Sequence, residues 1–333
     1  MPESLVLKNC RILIRDEEIV QFSKVKDDVE TSRKDRVVVV DSSGNPIEVP
    51  ELGFQERGFS NPELLEVEAT GTKVSLSKAV LMYSNGYGEW NFEHWMMDVL
   101  PKGWCVSERP DFRDITFIVT NGQFENLTKE YLSLLGVKSG KIITLGEADV
   151  LVSELLEFVS YYSHPFSIEA SDFIRDFRDI LIENRINSPR PKKKLYLGRT
   201  ETNTSGRGRY IENLPEVLKM LELEGFEFVS AGELSLSQKH DLFSNTDIVV
   251  TEIGANCLNI LMSSGIKKFI QIGHRRWQKT FYSDIFEILN PDSESVCMFF
   301  ETVDPAHDPY KSPEGVNVPW VVDVDRLKSE IEK

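Results

Sequence analysis

Cysteine is scarce and scattered in this chain. Among 333 residues there are only Cys10, Cys105, Cys257 and Cys297, with no Cys-x-x-Cys spacing. Neither a disulfide framework nor a thiolate zinc site is expected from such a set, and a reducing compartment follows. Long apolar runs are missing too: nowhere do about 18 apolar residues follow one another. The opening Met1, Pro2, Glu3, Ser4 lacks a charged-then-apolar leader pattern. A cytoplasmic protein is expected, with peripheral docking at the inner face of a membrane left open. Positive charge is in deficit, 38 Lys and Arg against 54 Asp and Glu, for a net charge of -16. That balance argues against a nucleic-acid partner, which would need a basic face. No Gly-x-Gly-x-x-Gly follows a strand and no P-loop is present, which speaks against a dinucleotide oxidoreductase or a kinase of those types. Internal repeats are absent.

What is present fits a globular enzyme of two domains. Hydrophobic residues make up 41% and charged residues 28% of the chain, and 333 residues exceed one ordinary core. The opening is β-rich, with strands expected at Leu5–Ile14 and Val37–Val40 around a charged stretch from Lys24 to Arg36. Helix, strand, helix, strand and strand are then expected at Asn91–Ser107, Ile115–Thr120, Glu125–Leu135, Lys141–Leu145 and Leu155–Tyr162, an alternation that means a parallel sheet. A helix over Ile168–Asn187 closes at Ser188-Pro189-Arg190-Pro191, the best linker in the chain. We therefore place domains at residues 1–187 and 188–333. The second is Rossmann-like: strands over Leu195–Gly198, Glu227–Ser230, Ile248–Thr251 and Lys268–Ile272 alternate with helices over Asn213–Glu224, Ser237–Ser244 and Asn256–Ser263.

Three segments carry candidate chemistry. In the first, the apolar strand ending at Thr251-Glu252-Ile253 runs into Gly254-Ala255 and a helix from Asn256, so small residues let a ligand approach free N–H groups. A diphosphate suits that geometry, although such turns also close ordinary βα units. In the second, Arg199 ends an apolar strand, and Arg207, Arg209 and Asn213 follow across a polar loop. An arginine at a strand's carboxyl end is placed to meet an anion; a solvated basic loop is the competing reading for Arg207 and Arg209. In the third, His94 and Asp98 stand four residues apart on one helix face among Trp90, Phe92, Trp95 and Trp104. A carboxylate that orients an imidazole suits general-base work. A buried His–Asp bond that merely fixes the helix is the alternative.

These segments together resemble glycosyltransferase family 61, whose bacterial members are often labelled capsular polysaccharide biosynthesis proteins. One block is similar to the family's Asn-aromatic-x-His-Trp-x-x-Asp-x-Leu-Pro, matched at Asn91, Phe92, His94, Trp95, Asp98, Leu100 and Pro101. Another runs from Tyr196 through Arg199 to Asn213. The third runs from Leu234 to Phe243 and on to Gly254, Ala255, Asn256, Cys257, Leu258 and Asn259. The resemblance spans roughly residues 80–275. Ile253 stands where many eukaryotic relatives have histidine, and Gln271 where relatives often have glutamate.

The resemblance implies a GT-B-like fold, two Rossmann-like domains facing across a cleft. It also implies a metal-independent, inverting transferase that moves sugar from a nucleotide-sugar donor, UDP-linked, to a glycan or lipid-linked glycan hydroxyl. Donor contacts would then fall to Arg199, Arg207, Arg209, Asn213, Gly254, Ala255, Asn256, Asn259 and Gln271. The base would come from His94 and Asp98 or from Glu252, and Asn91 and Trp95 would lie on the acceptor side. No cofactor beyond the donor substrate is expected. A non-catalytic nucleotide-sugar-binding partner in an assembly complex is the alternative. Asp323-Val324-Asp325 superficially matches a metal-binding Asp-x-Asp, but its place at a helix start makes Asp323 an N-cap and leaves no metal site expected.

Overall fold

The computed structural model describes residues 4–22, 29–40, 73–83, 91–145, 150–159, 175–180, 193–198, 211–232, 234–262, 265–276, 278, 280–303 and 318–333. The chain divides into two units, Met1–Phe173 and Ile174–Lys333. Helical residues 175–180 pack within the second. There Phe177 is fully buried, and Arg178 donates to the Leu289 carbonyl and to Asn290 Oδ1, each at 3.2 Å.

One six-stranded sheet organises the first unit. Its strands are β1 (Ser4–Phe22), β2 (Val29–Val40), β3 (Lys73–Met82), β4 (Thr116–Thr120), β5 (Ile142–Leu145) and β6 (Val150–Val159), in the order β2-β1-β6-β3-β4-β5. The last four of that order run parallel, while β1 lies antiparallel to both β2 and β6. The expected parallel sheet is thus mixed, because the N-terminal strands join it as one edge. Residues 29–36, expected as a charged connection, belong to β2. In their register Glu17 stands opposite Lys34 and Glu18 opposite Arg33. Helix α1 (residues 92–107) links β3 to β4, and α2 (Glu125–Leu134) links β4 to β5. Val80, Phe117, Ile118, Leu100, Met96 and Leu132 are essentially inaccessible and form the packed interior. Gly103 lets α1 come close: a Cβ there would lie 3.2 Å from the Tyr131 ring and 3.3 Å from Leu132.

The second sheet is wholly parallel. It comprises β7 (Lys193–Leu197), β8 (Phe226–Val229), β9 (Thr246–Glu252), β10 (Lys268–His274) and β11 (Glu294–Phe300), ordered β11-β10-β9-β7-β8. Helices α3 (Leu214–Leu223), α4 (Leu236–Ser244), α5 (Phe281–Leu289) and α6 (Val324–Ile331) cover it. Alternate strand residues face opposite layers. Tyr196, Val250, Ile270 and Met298 pack with Val217, Leu221 and Leu327 of α3 and α6. On the other face Phe269 meets Phe286 of α5 at 5.2 Å between ring centroids. The helix expected over Asn256–Ser263 is instead a tighter 3-10 helix, Ala255–Met262. Strands β3 and β11 and helix α5 had no counterpart in the pattern reading. Among the described residues, no helix is long and apolar enough to cross a membrane.

Close approach at the end of β7 requires glycine. A Cβ on Gly198 would lie 2.8 Å from the buried Tyr196 ring and 2.5 Å from the Phe228 ring. Gly198→Ala is expected to lower stability by about 1–3 kcal/mol through overpacking, read as a fall in melting temperature.

Candidate functional site

In the first unit the site is built on α1. The chain leaves the carboxyl end of β3 at Tyr83 and enters α1 at Asn91, so the helix start lies at the carboxyl edge of the sheet, where α/β proteins bind ligands. Asn91 caps it, its side chain accepting the Glu93 N–H at 2.9 Å. The next turn, Trp95–Val99, is a π-helix, with the Leu100 N–H bonded back to the Trp95 carbonyl. Pro101 supplies a reason: it has no N–H for the Met97 carbonyl, so the ladder must shift there. π turns are rare and frequent at functional sites.

Within that turn His94 Nδ1 lies 2.8 Å from Asp98 Oδ2, and the two side chains are 40% and 28% exposed. The expected pairing is present, and it sits at the surface rather than in the core. Trp95 is different. It is 1% exposed, its indole N–H donates to Thr128 Oγ1 at 2.9 Å, and its ring lies 5.3 Å from both Phe92 and Phe124. From that position Trp95 supports the frame beneath the pair. The buried Lys102 anchors the same helix, donating to the Tyr83 carbonyl at 2.5 Å.

In the second unit the strand order reverses direction between β7 and β9. That reversal opens a crevice at the carboxyl ends of those strands, the usual ligand position in a doubly wound sheet. Glu252 ends β9 there, 8% exposed, and receives the Tyr196 hydroxyl from β7 at 2.8 Å. Thr251 Oγ1 ties the same strands by donating to the Leu197 carbonyl at 3.0 Å. Gly254 then adopts φ 143, a conformation that other residues rarely take. Arg199, Arg207 and Arg209 lie outside the described residues.

The remaining candidates are placed less openly. Asn259 is 1% exposed: its Oδ1 accepts from Lys239 Nζ at 2.9 Å and its Nδ2 donates to the Asn256 carbonyl at 2.9 Å. Gln271 is fully buried within β10. Asn213 clasps the backbone of Val322, donating to its carbonyl at 2.8 Å and accepting its N–H at 2.9 Å. Asp323 caps α6, accepting the Arg326 N–H at 2.9 Å, as its place at the helix start implied.

Sequence reasoning missed three features here. Tyr196 was read only as part of a strand and a motif, and Lys239 only as part of a motif. Arg275 and Arg276, both exposed, follow the carboxyl end of β10. The strand-end rule applied to Arg199 would have found them. Arg275 pairs with Glu301 at 2.8 Å. Lys239 is 1% exposed, and burial draws its pKa down to about 8.

A family model described as Glycosyltransferase 61 matches residues 92–267, more than half of the chain. The match takes in His94, Asp98, Tyr196, Lys239, Glu252 and the Gly254 turn. No curated protein matches the chain.

Two expectations follow. Asn213→Ala removes two hydrogen bonds to a buried backbone segment and is expected to cost about 1–3 kcal/mol, read as a lower midpoint in urea unfolding. Lys239 holds its proton more readily unfolded than folded, so between pH of about 8 and the ordinary lysine value of 10.5 the unfolded chain binds more protons. Stability therefore rises with pH in that window. Across it, the melting temperature of wild type is expected to gain on that of Lys239→Met.

Proposed function

We propose, since this chain belongs to the Glycosyltransferase 61 family, that it transfers a sugar from a UDP-linked donor to a hydroxyl of a glycan or lipid-linked glycan in surface polysaccharide synthesis. The observation that carries this reading is a single family match running from the His94–Asp98 pair to the turn after β9. The second unit is assigned the donor and the first the acceptor, in the GT-B arrangement. Peripheral association with a membrane bearing the lipid-linked acceptor belongs to the same reading.

Two chemical tasks define the reaction. The acceptor hydroxyl must lose its proton as its oxygen attacks the anomeric carbon, and the departing diphosphate must be stabilised as charge grows on it. His94 serves the first. With Nδ1–H held by Asp98, the imidazole is fixed in the tautomer whose Nε2 accepts a proton, and the carboxylate steadies the imidazolium that results. The second task falls to N–H groups after Gly254 and to Arg199, Arg207 and Arg209, which together replace a metal ion. One base acting in a single displacement inverts the anomeric centre. Glu252, held by Tyr196, is the reserve base.

The test begins with a thermal-shift panel. UDP is expected to raise the melting temperature and NAD to leave it unchanged, because only a ligand of the folded state stabilises it. With a UDP-sugar that supports transfer, His94→Ala and Asp98→Asn are each expected to lower turnover by roughly 10²–10⁴-fold with donor affinity nearly unchanged. The double variant should be little worse than the worse single one. Full turnover in both variants, with loss only in Glu252→Gln, would move the base to β9. UDP binding without transfer to any glycan acceptor would favour the non-catalytic partner.

A further inference from the structure

Burying an ammonium group is costly unless something repays it, and two are buried among the described residues of the second unit. Lys268, at the start of β10, is charge-paired with Glu294 at 3.1 Å and Glu330 at 3.3 Å. Its role in binding strands to α6 is complete in those contacts. Lys239 reaches two loops. From α4 it donates to two uncharged oxygens, the Ala231 carbonyl and Asn259 Oδ1.

The two acceptors lie in functionally placed loops. Ala231 follows β8, and Asn259 lies in the segment that follows β9 and the Gly254 turn. Because β7 lies between β8 and β9 in the sheet, the two loops bracket the carboxyl end of β7. Lys239 therefore staples one side of the crevice to the other. Its link continues inward: Asn259 Nδ2 holds the Asn256 carbonyl at 2.9 Å, and the Cys257 N–H closes on the Gly254 carbonyl at 2.9 Å. The chain Lys239, Asn259, Asn256 thus reaches the turn itself. An apolar residue would fill the same volume without the cost of a buried charge. What an apolar residue cannot do is fix Asn259 in one orientation and leave positive charge behind the turn.

We propose that Lys239 is a positioning residue of the donor site: through Asn259 it holds residues 255–262 so that their leading N–H groups face the donor diphosphate, and its ammonium reinforces the field there. This rests on the donor reading given above. It assigns a role to a residue that touches no substrate. It also accounts for Asn259 lying buried beneath the turn.

Calorimetric titration with UDP and competition by uridine, on the full chain well below its melting temperature, test the assignment. Lys239→Met is expected to weaken UDP binding by about ten- to a hundredfold while uridine, which has no phosphate, binds nearly as before. Asn259→Ala, which cuts the link but keeps the lysine, should weaken UDP in the same phosphate-selective way. The double variant should be no worse than the worse single, since both break one chain. Unchanged UDP affinity in the folded variants would overturn the assignment, and so would equal losses of UDP and uridine, the mark of a purely structural lysine. If Lys239→Met does not fold, Asn259→Ala decides by the same two outcomes. Failure of the wild-type chain to bind UDP would overturn the donor reading and this assignment with it, and that result is visible before any substitution is made.

Discussion

A parallel sheet cannot be closed by tight turns; each strand must be reached by a crossover that carries the chain back over one face. In the second unit that constraint sets nearly everything else. The winding starts at β7, goes outward to β8, then crosses back to β9 and continues to β10 and β11. Where it changes direction, α3, which comes after β7, and residues 255–262, which come after β9, lie on opposite faces of the sheet. Glu252, the Gly254 turn and Gly198 all lie at that point. Helices α3 and α6 fill one face and α4 and α5 the other, and the buried Glu252 is held at the carboxyl edge between them.

Polar groups in this sheet are costly and therefore informative. Tyr196 and Glu252 satisfy one another across β7 and β9. Lys239 finds acceptors in two loops. Thr251 bonds the neighbouring strand's backbone. Each of these would be replaceable by a hydrocarbon of similar size if packing alone were at stake. They sit instead at the end of the sheet where ligands bind.

Legibility followed the length scale of the signal. The motif segments were readable because their chemistry is local: an i,i+4 His–Asp pair is specified by helix periodicity, and Gly254 by a backbone conformation that only glycine takes easily. Strands β7 to β10 were readable as short apolar runs between turn residues. Strand β3 was missed although its signal is present: Val74 and Leu76 alternate with Ser75 and Ser77, and an apolar run follows from Ala79 to Met82. The length of β2 was missed too, because its first residues read as a charged stretch rather than as an apolar run. Arg199 was picked by the strand-end rule, Arg207 and Arg209 as the basic residues across the following loop, and all three lie outside the described residues. Asn213 and Asn259 were read as ligand contacts, yet their partners are Val322 and Lys239, which no local pattern announces. The 3-10 form of residues 255–262 also lies beyond periodicity, which does not separate two helical pitches over eight residues.

The π turn in α1 has a further bearing on the site. An α-helix advances by about 100° for each residue, and a π turn holds one residue more than an α turn in the same rise. The two ends of α1 are therefore offset by one residue's rotation from the faces a regular helix would give them. Downstream, Gly103 is committed to its contact with α2; upstream, Trp95 is committed to Thr128. Only the surplus residue lets both commitments hold at once. A regular helix with Gly103 seated would turn His94 away by roughly a quarter of a revolution, so the side of the helix on which the pair stands is stored in one extra residue, and the bond to Asp98 then holds the imidazole there.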